Sequence, residues 1–164
     1  MKKVKFIILA VIILLGITIV GCKKDNDTNP DIGKGTMTAK IDGKNFSSTS
    51  EASARYIEGV LLISGVSKTG QIQLSVYNTT KATGNFQIAD GSTNMGIYIH
   101  SKDVNENYYS YVDNGTGNIK IIEFTGNDVK GTFHFTAGNI NGGSVNITDG
   151  TFDVKIIATD ISYN

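Results

Sequence analysis

The sequence predicts an all-β domain, an antiparallel meander of about ten strands closing as a β-sandwich or a flattened β-barrel. Three observations carry this. From Thr36 onward apolar residues recur with period two, turn dipeptides punctuate the chain at short intervals, and no window holds an apolar stripe at helical spacing. Period two puts alternate side chains on opposite faces, so each strand has one apolar and one wet face, as antiparallel sheets require. A meander of such strands must close or fold over to cover its apolar side.

Ahead of that body, Met1-Lys2-Lys3-Val4-Lys5 carries three positive charges, and residues 6–20 are apolar apart from Gly16 and Thr18. A charged start followed by a short apolar run has the form of an export signal over residues 1–21. A permanent membrane helix takes roughly 20 apolar residues, and this run is shorter. The next residues, Ile19-Val20-Gly21-Cys22, resemble the lipobox of bacterial lipoproteins, in which a small residue lets the peptidase pass an extended strand beside a lipidated cysteine. The resemblance implies that Cys22 carries acyl chains and tethers the mature protein to a membrane. Each buried methylene contributes about 0.8 kcal/mol, so more than one chain anchors stably. Cys22 is the only cysteine, which leaves no disulfide or thiolate metal site in the body.

Residues 22–35 hold one large apolar side chain, Ile32, and the only proline, Pro30, and read as a flexible tether. The start Cys22-Lys23-Lys24-Asp25-Asn26-Asp27 resembles the Lys-plus-acidic signals of surface-exported lipoproteins of the Bacteroidota. The expected location is therefore the cell envelope, lipid-anchored at the outer membrane; periplasm-facing and surface-exposed displays both fit. Cleavage after Gly21 removes Lys2, Lys3 and Lys5 from a chain of 15 basic and 15 acidic residues, leaving a net charge of −3. With one arginine, Arg55, and no basic stripe, no nucleic-acid partner is expected.

Residues 36–164 are expected to form a single domain. In 36–41, Met37, Ala39 and Ile41 alternate with Thr36, Thr38 and Lys40; in 71–77, Ile72, Leu74 and Val76 alternate with Gln71, Gln73 and Ser75. The same holds for Phe133, Phe135 and Ala137 in 129–137 and for Phe152, Val154 and Ile156 in 151–158. Further strands are expected near 44–48, 51–57, 59–66, 84–88, 95–101, 107–112 and 117–124. Asp42-Gly43, Asp90-Gly91, Asn114-Gly115, Gly126-Asn127, Asn141-Gly142 and Asp149-Gly150 are dipeptides that tolerate positive φ in tight hairpins.

The blocks from Met37 to Phe46, Leu62 to Gly65, Gly131 to Phe135 and Ile147 to Val154 resemble a family of Bacteroidota lipoproteins whose domain has no assigned function. Those blocks are strand and turn motifs, so the resemblance implies fold and compartment and carries no catalytic residues.

The search for chemistry finds little. His100 and His134 lie on separate strands with no second ligand at fixed spacing, His134 on a wet face and His100 on the face of Tyr98. Asp103-Val104-Asn105-Glu106-Asn107 begins like a calcium loop but lacks its glycine, and Asn114 stands where the bidentate glutamate belongs; Asp25 to Asp31 in the tether has the same deficit. No metal or cofactor is expected. Nucleophile and phosphate-loop motifs are absent, and Glu51, Glu58 and Glu123 have no distinctive context, so a hydrolase with dispersed carboxylates is the least favoured reading. The feature most open to binding is Tyr108-Tyr109-Ser110-Tyr111: period two puts Tyr109 and Tyr111 on one face and Tyr108 on the other, and exposed rings stack on sugars or partner proteins. The expectation is a non-enzymatic, lipid-anchored module that binds a glycan or an envelope protein. The alternative is a structural component of an outer-membrane complex, docking through an apolar patch or an unprotected edge strand.

Overall fold

A computed structural model describes residues 35–77 and 79–157. The export segment, Cys22 and the tether up to residue 34 lie outside the described residues. Ten strands follow one another: β1 (Gly35–Ile41), β2 (Lys44–Ile57), β3 (Val60–Ser67), β4 (Gly70–Val76), β5 (Gly84–Ile88), β6 (Met95–Ile99), β7 (Tyr108–Tyr109), β8 (Gly117–Phe124), β9 (Asp128–Gly138) and β10 (Ser144–Lys155). A single 3₁₀ turn, Val104–Glu106, precedes β7. All pairings between the ten strands are antiparallel and form one sheet, in the order β10-β1-β2-β3-β4-β6-β7-β9-β8-β5. Pairing of β9 with β10 closes eight of them into a ring, while β8 and β5 branch from it, so the sheet is not a clean barrel.

The register explains the branch. Along one edge of β9, Gly117 of β8 pairs with Phe135 and Tyr109 of β7 pairs with Gly138, so β7 and β8 sit end to end. On their far side, Ile88 of β5 pairs with Gly117 and Ile97 of β6 with Tyr109, so β5 and β6 are also consecutive pieces of one line. Only β6 continues to β4, through Gln71↔Ile99 to Ser75↔Met95. The wall is thus closed at the level of β6 and β7 and split between β4 and β5.

Alternation fills the interior. β1 reads buried and exposed in strict turn, and Phe46, Leu61, Ile63, Ile72, Leu74, Ile119 and Phe135 are all at most 2% exposed. Phe133 stacks between Phe135 and Phe152, with ring centroids 6.3 Å apart on each side. An aromatic or branched aliphatic side chain buried this way contributes about 1.5–3 kcal/mol.

Three sequence expectations are corrected. The separate strands near 44–48 and 51–57 are one strand, β2, in which Met37 opposes Ser48 but Gly35 opposes Ala52. The exposed residues between, Thr49 to Glu51, take up that shift. Asp149-Gly150 makes no hairpin. Ile147 pairs with Phe135 and Gly150 with Phe133, so β10 carries one extra residue, a β-bulge, with Asp149 at φ 52°. The strand expected at 107–112 shrinks to two residues because Ser110 leaves the ladder to bond Gly96: its N–H donates to the Gly96 carbonyl and its Oγ accepts the Gly96 N–H, each at 3.0 Å. An unanticipated tight turn, Glu58-Gly59 with φ 49° and 84°, joins β2 to β3.

Candidate functional site

The break between β7 and β8 sets the tyrosines. Tyr108 pairs with Tyr98, and the rings of Tyr98, His100 and Tyr108 stack at 5.5–6.2 Å. Tyr98 donates to the Thr69 carbonyl at 2.9 Å, and His100 Nε2 lies 2.9 Å from the Glu106 carbonyl. On the opposite face Tyr109 and Tyr111 form a second cluster, with centroids 5.2 Å apart. The Tyr109 hydroxyl donates to the Val104 carbonyl at 3.2 Å, which fixes its ring, and Tyr111 is 52% exposed. Desolvation, with the Tyr109 phenol adding to it, pushes the Tyr111 hydroxyl up to about 12.

Cross-strand partners share a face, so the register traces what lies beside those rings. Ser53, Ser64, Gln73, Ile97 and Tyr109 are successive partners across β2, β3, β4, β6 and β7. One row along, Arg55, Leu62, Ser75 and Met95 are partners in the same way. This is the outer face, because Gly96 and Tyr98 point inward: a Cβ on Gly96 would lie 2.6 Å from the Phe135 ring. Met95 and Ile97 are 4% and 2% exposed yet stand apart from the central core cluster, so apolar side chains are covered on the outside of the wall as well.

A groove of about 220 Å³ runs over β2, β3 and β4 on this face, lined by side chains of both rows and by Gln71, whose amide donates to Ser64 Oγ at 2.7 Å. Gln73 and Ser75 are each 8% exposed and, among the described residues, their side chains make no hydrogen bond. The one fully enclosed unsatisfied side-chain atom among the described residues is Thr79 Oγ1, so the polar tips of Gln73 and Ser75 keep access to the groove. Arg55 is exposed and has no hydrogen bond or ion pair among the described residues. No lining residue is acidic. Sequence reading passed over this groove because Gln, Ser and a lone Arg on strands read as ordinary wet-face residues; only the pairing register brings them beside the tyrosines.

A second cavity, about 300 Å³, lies over β1 and β2 against the bulge, where Lys40 pairs with Asp149 at 2.9 Å. His134 is exposed, and among the described residues no three His, Cys, Asp or Glu side chains gather as a metal site. Two side-chain oxygens of the Asp103–Asn107 loop bond the local backbone: the Asp103 carboxylate accepts from the Asn105 N–H, and Asn107 Oδ1 accepts from the N–H groups of His100 and Ser101.

Fold and groove together define the class: an all-β domain with a split ring of strands and a polar groove on its outer wall. The chain belongs to the family described as Domain of unknown function (DUF6252), whose model matches residues 33–154. No curated protein and no solved structure matches it.

Proposed function

We propose that this protein is a non-enzymatic recognition module of the Bacteroidota cell envelope, held at the outer membrane through lipid on Cys22, that binds a glycan or a partner protein. The observation that carries the binding half is the coincidence on one face of two kinds of surface. The Tyr109–Tyr111 pair supplies stacking area, and Gln73 and Ser75 supply buried polar groups without partners. Because those polar tips stay open to the groove, a ligand hydroxyl or amide can replace water on them, a net gain of about 0.5–1.5 kcal/mol per hydrogen bond. The anchoring half is supported by the residues Ile19 to Cys22 and by the polar stretch between Cys22 and β1.

The test uses the full lipidated chain in a glycan-binding screen run beside a pull-down from intact envelope. A glycan or protein captured by the native chain and lost by Tyr111→Ala is the expected result. Capture of neither, or capture indifferent to Tyr111, removes the reading.

A second reading, a structural component of an envelope complex, is favoured by one observation: among the described residues β5 pairs with no strand but β8, and on its other edge only the Gln87 carbonyl is capped, by Ser92 and Asn94. A photo-crosslinker at Asn85 should then capture an envelope protein, and its failure to do so counts against assembly.

A further inference from the structure

Resting on the recognition reading above, we propose that the outer-face groove and the Tyr109–Tyr111 pair form one extended site for an acidic oligosaccharide, with Arg55 receiving a uronic-acid carboxylate. Four features select this ligand. The first is charge. The only arginine of the chain lies at the groove with no partner among the described residues and no acid among the lining side chains. A guanidinium presents planar paired donors that match a carboxylate, a geometry lysine lacks.

The second feature is hydroxyl chemistry. Gln73 offers an amide donor and acceptor, and Ser75 a hydroxyl that both gives and takes; sugar hydroxyls do the same. The third is the aromatic pair. Because the Tyr109 hydroxyl is already bonded to Val104, its ring is ordered before any ligand arrives, which lowers the entropy cost of stacking.

The fourth is length. The groove covers β2 to β4 and the tyrosines lie beyond the covered Met95 and Ile97 of β6, so Arg55 and Tyr109 stand four strand steps of about 4.8 Å apart, roughly 20 Å along the wall. That suits an oligomer and not a single sugar. An extended peptide would instead be captured along a strand edge by main-chain hydrogen bonds, and here the β3 and β4 backbones are already paired on both sides. A polyphosphate would need more cations than one.

Calorimetric titration of the full chain with an oligogalacturonate, and with the same oligomer methyl-esterified, separates the parts of the claim. The acid form is expected to bind about tenfold more tightly than the ester, as a charge-assisted contact requires. Arg55→Gln should abolish that margin, and Tyr111→Ala should weaken both forms. Equal affinity for the two forms, or an Arg55→Gln variant that still prefers the acid, overturns the acidic-ligand claim and leaves glycan recognition standing. Binding of neither form overturns it too; recognition itself then stands only if an envelope protein is lost with Tyr111→Ala. Arg55 is exposed, so the variant is expected to keep its fold, and an unchanged circular dichroism spectrum is the control.

Discussion

Gly96 and Phe135 show how single residues set the shape of the wall. The ring of Phe135 occupies the space where any other side chain at position 96 would begin, with a Cβ there lying 2.6–2.7 Å from three of its atoms. Gly96→Val should therefore destabilise the domain by about 1–3 kcal/mol through overpacking, read as a lower denaturation midpoint at unchanged slope. An unaltered midpoint would mean that the ring has somewhere to go. Tyr111 makes a prediction of a different kind. Its phenol ionises near 10 in the unfolded chain and at about 12 in the folded one. Between those values the unfolded state releases a proton that the folded state keeps, so stability is full below pH ~10 and falls as the pH rises toward 12. Tyr111→Phe should flatten that fall; an identical alkaline limb in the variant would show that other tyrosines account for it.

At the scale of elements, the bulge in β10 separates two uses of the same dipeptide. Asp149 at φ 52° needs a residue that tolerates the left-handed region, and its carboxylate pairs with Lys40 of β1. The ion pair is exposed, with side chains 48% and 65% accessible, and such pairs contribute about 0–1 kcal/mol. Asp149→Asn keeps the backbone preference and should be nearly neutral. Asp149→Val places a β-branched side chain at positive φ and should cost about 1–2 kcal/mol. Thermal melts of the two variants that coincide would contradict the backbone account. The six turn dipeptides named from sequence divide along the same line: Asp42-Gly43 does join two strands, whereas Asp149-Gly150 sits inside one. Local chemistry allows positive φ, which Gly126-Asn127 between β8 and β9 does not use; only a partner strand on each side makes such a site a bulge instead of a turn.

For the whole molecule, the ring and the anchor make separate demands. β1 begins at Gly35 and ends at the Asp42-Gly43 turn, which lies beside β10 where the Asp42 N–H bonds the Asn146 carbonyl at 2.9 Å. The loop before β10 meets the one before β7, through Asn141 Nδ2 and the Asn105 carbonyl at 3.3 Å. These loops therefore gather at the end of the ring away from Gly35, where the tether joins. On the proposed anchoring, the tether joins the ring at the opposite end from these loops, and the groove lies along the side wall. Cys22→Ala should release the protein from the membrane fraction while leaving the fold of residues 35–157 intact; persistent membrane association in that variant sinks the anchor. Two large apolar residues, Val104 and Ile140, are each 65% exposed on those far loops.

What the sequence by itself determined is the class of fold and which strand face turns inward, because alternation is a local property: Met37, Ile72, Phe133 and Phe152 are buried where period two puts them. The opposition of Tyr108 to Tyr109 and Tyr111 was legible for the same reason. The tertiary structure alone decided that β5 and β6 share one line, that the ring splits beside β4, and that Gln73, Ser75 and Arg55 line a groove on the sheet face that also carries Tyr109. Those facts depend on register between strands distant in the chain, and register is set by how interior volumes such as Phe135 against Gly96 fit together, which no short window of residues encodes.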